Sequence, residues 1–203
     1  MLIYAAFLFG ISNSQAKETQ FSDKNSNMFV KVFKDQEGYG SFLAHNHAVQ
    51  AVGWSSSFKY EVGSCELSIT VPVKQLNVDP PALRKTLGTD FEGVIAEGDR
   101  ETIKENMLAS GQLNASKHST IEFKSQSCEL SADKSKIKGD FTLRGVTNSI
   151  EIPVEFSEEG ESVSLKGRFP IKSTDYGFEP YSAMFGQIAN KAEMVIEFHL
   201  KSK

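Results

Sequence analysis

The chain has 203 residues, 39% of them apolar, and sets 26 acidic against 22 basic side chains for a formal charge of -4, with no long block of one sign. That length supports one core, or one barrel with a cavity, rather than two full domains. The charge balance excludes a surface built for nucleic acid, whose affinity grows with the number of phosphates neutralised.

Residues Leu2 to Ile11 form an apolar run, followed by small and polar residues through Ser14-Gln15-Ala16. The run is too short for a membrane-crossing helix of about 20 residues but suits a secretory signal peptide lacking its usual basic start. The rival reading is a buried first strand or helix. With the signal reading, residues 1–16 are removed and residues 17–203 form one domain that works in the periplasm or outside the cell. Residues 17–27 are polar and read as a loose leader. A first strand is expected from Phe29 to Lys34, with Val30 and Val32 on one face and Phe29, Lys31 and Phe33 on the other. Gly38 and Gly40 mark a turn or a bent strand, and an extended segment runs from Val49 to Tyr60. Leu67, Ile69, Val71 and Val73 then repeat at every second position, and Pro72 sets that strand at a sheet edge or at its own end.

The pattern changes at Pro80-Pro81, which opens a helical turn or two from Ala82 to Leu87. A second helix is expected over about Glu97 to Leu108, with Asp99 as its cap and Ile103, Met107 and Leu108 as a narrow apolar stripe. Both are too short to stand alone, so each lies against the sheet as a plug or lid for one end. From Ile121 onward the period of two returns. Ile137, Gly139, Phe141 and Leu143 share a face, as do Ile150, Ile152, Val154 and Phe156, then Val163, Leu165, Gly167, Phe169 and Ile171, then Met194, Ile196, Phe198 and Leu200. One dry face per strand describes a closed antiparallel barrel or a two-sheet sandwich.

Cys65 and Cys128 sit in matching Ser-Cys-Glu-Leu-Ser strings on predicted strands. They form either a disulfide or two buried thiols, since pairing needs Cα atoms within about 7 Å and sequence does not show distance. With no CxxC spacing, neither a redox dithiol nor a structural zinc knot is supported.

The sharpest polar cluster is His45-Asn46-His47. Two imidazoles at i and i+2 of a strand share a face and could bind one metal if His118, His199, Asp90, Asp99 or Asp175 supplied a third ligand. The blander reading, a hydrogen-bonded pair near a barrel rim, carries more weight. No nucleophile elbow, HExxH, dinucleotide fingerprint or phosphate loop occurs, so no catalytic residue is assigned and no enzyme is expected.

The cavity reading rests on other facts. The 15 Phe against 5 Tyr and 1 Trp suit a dry interior, because phenylalanine has no polar handle. About eight strands is the smallest barrel that encloses a ligand as well as its own side chains. Gly139 and Gly167 stand on the inward face, where they either relieve curvature or leave space for a hydrocarbon chain.

The segment Lys138-Gly139-Asp140-Phe141-Thr142-Leu143-Arg144-Gly145-Val146-Thr147 resembles the strand pair shared by the YceI family of bacterial periplasmic proteins. Further resemblance lies in Thr120-Ile121-Glu122-Phe123, in Ser173-Thr174-Asp175-Tyr176-Gly177-Phe178 and in the closing strand through Phe198. It implies an all-β fold, an eight-stranded antiparallel lipocalin-like β-barrel with a short helical insertion. It also implies a tunnel that holds a quinone or polyprenyl-type lipid, with no established catalysis and with transient contact to a membrane or carrier. His45, Val49, Phe58, Phe91, Phe123, Phe141 and Phe169 are then the residues expected to line or cap the tunnel, their inward direction being inferred from alternation. The chain departs from its relatives in carrying two histidines at His45-Asn46-His47 and none in the second helix. The rivals are a metal-dependent hydrolase using His45 and His47, and a filled barrel acting as an interaction module.

Overall fold

A computed structural model describes residues 16–35, 44–61, 63–131 and 134–202. The expected signal segment, apart from Ala16, and the turn at Gly38 and Gly40 lie outside the described residues.

Period-two segments become strands wherever one face can be kept dry. The strands are β1 (Lys17–Thr19), β2 (Asn27–Lys34), β3 (His47–Gln50), β4 (Ser55–Glu61), β5 (Ser64–Pro72) and β6 (Asn77–Val78), then β7 (Thr120–Glu129), β8 (Ser135–Leu143), β9 (Val146–Glu159), β10 (Ser162–Lys172), β11 (Ser182–Ala183) and β12 (Ile188–Lys201). They pair antiparallel in the order β1-β4-β5-β7-β8-β9-β10-β12-β2-β3-β6, with β11 added to β12. β3 and β4 stand near opposite ends of that order, yet only residues 51–54 separate them in the chain. The sheet therefore curls until its two ends meet through the backbone, with one side turned inward.

Among the described residues twelve strands stand in place of the expected eight. β1, β3, β6 and β11 have two to four residues each, too few for alternation to register in a sequence. The leader is not loose either: β1 pairs with β4, Lys17 forms an ion pair with Glu158, and Phe21 is 2% exposed. Pro72 ends β5 rather than marking an edge, because β5 lies between β4 and β7.

Pro153 shapes the wall. β9 pairs with β8 from Val146 to Val154, but with β10 only from Val154 to Glu159. Pro153 has no N–H to give and sits where the ladder to β10 stops. Beyond that point a 3-10 turn, Ser173–Tyr176, leans on β9. Asn148 Nδ2 donates to the Asp175 carbonyl at 2.9 Å, and the Tyr176 ring meets Phe141 edge-on at 5.6 Å.

Two helices frame one end, α1 (Pro81–Arg84) and α2 (Glu97–Leu108). Ala96, not Asp99, occupies the N-cap of α2, and no side chain caps it. The opposite end is solid. Phe21, Phe58, Tyr60 and Phe156 form a run of ring contacts with centroids 5.4, 5.1 and 5.7 Å apart in turn. Cys65 and Cys128 are joined there as a disulfide, with Cα atoms 5.1 Å apart.

Candidate functional site

Between the solid end and the helices the sheet encloses a cavity of about 550 Å³, within the roughly 300–1,000 Å³ usual for small-molecule sites. Its wall is apolar and drawn from most strands, including Val30, Val49, Ile69, Phe123, Phe141 and Ile196. Its mouth is framed by α2 through Ile103 and Met107, by Tyr181 and by Ile188. Val94 on the rim is 97% exposed.

Of the seven expected lining residues, His45, Val49, Phe123, Phe141 and Phe169 face this cavity. Phe58 and Phe91 do not, and both are corrections. Phe58 has the expected inward direction and is fully buried, but the Phe21 ring from the leader fills the space above it. Alternation reports a face, not a depth along the strand. Phe91 belongs to a separate cluster with Phe29, Ala48 and Leu83, outside the barrel core. Its ring lies under Arg84, 5.8 Å from the guanidinium carbon. The helical insertion has no alternation from which to read its direction.

The inward glycines leave no gap for a ligand. A Cβ on Gly139 would sit 2.6 Å from the tip of the Phe123 ring, and one on Gly167 would sit 2.4 Å from that of Phe198. Each glycine is the floor on which a neighbouring strand's phenylalanine lies flat, an arrangement also used to protect glycines in designed sheets.

The mouth carries a buried charge network that the sequence reading missed. Asp79, 1% exposed, follows β6 with φ +49°, a left-handed conformation that aspartate tolerates better than most residues. Its Oδ1 accepts from the Ala48 N–H at 2.8 Å and from Arg84 Nη1 at 2.7 Å. Its Oδ2 lies 2.6 Å from His47 Nδ1. Arg84 Nη1 also donates to the Asn46 carbonyl at 2.7 Å, so α1 is tied to β3 by side chains. Burial pushes the Asp79 carboxyl up, but the hydrogen bond and electrostatic pull of His47, with the Ala48 N–H and Arg84 behind them, outweigh it and hold the group below the ordinary carboxylate value. The only trace in sequence is an aspartate placed before Pro80-Pro81, which does not announce a partner.

His45 and His47 both face the cavity, but Nδ1 of His47 is occupied by Asp79. Among the described residues no group of three or more His, Cys, Asp and Glu side chains is arranged to hold a metal. His199, one of the candidate third ligands, instead meets Ser164 Oγ at 3.2 Å. Among the described residues no helix is long and apolar enough to cross a membrane.

A curled antiparallel sheet around one apolar hollow, closed at one end and rimmed by polar groups at the other, defines the class of cavity-bearing β-barrels. Within that class the chain belongs to the YceI-like domain family, whose model matches residues 24–201. No curated protein matches it. Among solved structures it resembles Burkholderia cenocepacia BcnA, with a TM-score of 0.60 at 15% identity over 87% of this chain and 96% of that one. It also resembles the Campylobacter jejuni YceI protein, with a TM-score of 0.52 at 16% identity over 76% of this chain and 84% of that one. At such identities the likeness establishes the fold alone.

Proposed function

We propose that this protein is a non-catalytic carrier that holds an apolar, isoprenoid-like chain, of quinone or polyprenyl type, inside the barrel in the periplasm. The observation that carries the reading is the hollow itself: about 550 Å³ walled by Phe, Ile and Val in a family member whose opposite end is packed solid. A hydrocarbon chain in such a space is held by burial of its surface, worth about 25 cal/mol per Å², and needs few directional contacts. The Cys65–Cys128 disulfide suits an oxidising compartment. α2 is the element that would yield to admit a ligand, because it lies across the mouth yet none of its twelve residues is fully buried.

The test is native mass spectrometry of gently purified protein, followed by organic extraction and analysis of the released material. A retained apolar species, lost on extraction and taken up again on adding back the extract, is expected. Protein that carries nothing and takes up no prenyl lipid would overturn the reading.

A further inference from the structure

The charge network at the mouth is expensive. Each buried ion costs several kcal/mol in desolvation, and a buried pair is weak evidence for stability. Arg84 is 5% exposed and its Nε finds no partner among the described residues, so the network is not optimised as a staple. What it fixes is one imidazole. Nδ1 of His47 is directed at Asp79, and the ring borders the cavity. Among the described residues Nε2 has no hydrogen-bond partner.

A second incomplete group borders the same cavity. By strand register His47, Val32, Met194 and Ile171 form one row across β3, β2, β12 and β10, and Ser173 follows two residues after Ile171. Ser173 is 2% exposed, borders the cavity, and its Oγ has no partner among the described residues. A buried hydroxyl without a partner costs free energy that a ligand's polar end would recover.

We propose that His47, positioned by Asp79 and Arg84, reads the head of the bound lipid and selects a hydroxyl-bearing end. The inference rests on the carrier reading and names the substrate class within it. In the neutral imidazole, Nδ1–H donation to Asp79 leaves Nε2 with a lone pair, which is complementary to a hydroxyl and not to an ether or a methyl group. Arg84 Nη1 is committed to Asp79 and the Asn46 carbonyl, and both Asp99 and Lys191 border the same cavity.

The probes are geranylgeraniol and its methyl ether, which share chain and oxygen and differ in the hydrogen available to Nε2. Their affinities are read by displacing a fluorescent polyene from lipid-stripped protein. Wild type is expected to bind the alcohol roughly tenfold more tightly, the value of one well-placed hydrogen bond. His47→Phe keeps an aromatic ring and should bind both probes within about twofold, since only the acceptor is gone. Asp79→Asn separates positioning from bulk. Its amide oxygen takes the place that faces Ala48 N–H and Arg84, leaving its NH₂ to donate to Nδ1, so the proton moves to Nε2. The preference should then shrink or turn toward the ether. Circular dichroism confirms folding, and if Asp79→Asn fails to fold, His47→Phe alone decides. Wild type that binds both probes equally overturns this inference and leaves the carrier reading standing, whereas wild type that binds neither overturns both.

Discussion

The two ends of the barrel are built from the same alternating strands and reach opposite outcomes. At the closed end Phe58, Leu165 and Leu200 are fully buried, rings stack in sequence and a disulfide joins β5 to β7. At the mouth a charge network is buried, Arg84 Nε and Ser173 Oγ lack hydrogen-bond partners among the described residues, and α2 lies over the opening with none of its own residues buried. The strands supply only a dry face. Whether that face is filled depends on what the chain brings from outside the strands: the Phe21 ring at one end, and a short amphipathic helix at the other. Packing density is a local property, set by the volume delivered to each layer.

The comparison is broken most directly by deleting the same kind of group at each end. Phe58→Ala should cost about 3–5 kcal/mol, as removal of a large buried ring does. Ile103→Ala on α2 should cost under about 1 kcal/mol, because a half-exposed side chain leaves no sealed cavity. Urea midpoints measure both, and similar losses would mean that the mouth is as tightly packed as the base. Next in size is the disulfide. Cys65 and Cys128 are 63 residues apart, and closing so long a loop removes about 4 kcal/mol of unfolded-state entropy in the simplest model. The Cys65→Ala, Cys128→Ala double variant should lose about 2–4 kcal/mol while the mouth keeps its choice between alcohol and ether. A loss of that choice would show that the base controls the mouth.

These differences explain what could be read in advance. Strand faces were legible because alternation is a strong signal over seven or more residues: Val30, Phe123, Phe141 and Phe169 all face the hollow. α2 was legible to its residue bounds from an apolar stripe bounded by a change of period. Depth was not legible, so Phe58 was assigned to the wall when Phe21 already covered it. The insertion was not legible either, because Phe91, Asp79 and Arg84 are placed by tertiary contacts rather than by any repeat. The glycines gave a false opening: sequence shows a missing side chain at Gly139 and Gly167, while only structure shows the rings of Phe123 and Phe198 lying over them.

The last expected effect sharpens the comparison by chemistry rather than size. A carboxyl held below its unfolded value of about 3.9 contributes stability that is fully present above that value and is lost as pH falls through the lower folded value. Asp79 is such a group, so Asp79→Asn should cost about 1–3 kcal/mol at neutral pH and progressively less as the medium is acidified below about pH 4. The Phe58 ring meets Phe21 and Tyr60, neither of which titrates in the acid range, so the cost of Phe58→Ala should stay level there. Urea denaturation of wild type and both variants at matched pH values separates the two. If the Asp79→Asn penalty were independent of pH, the network would act through shape alone, and the orientation of His47 would not depend on a charged carboxylate behind it.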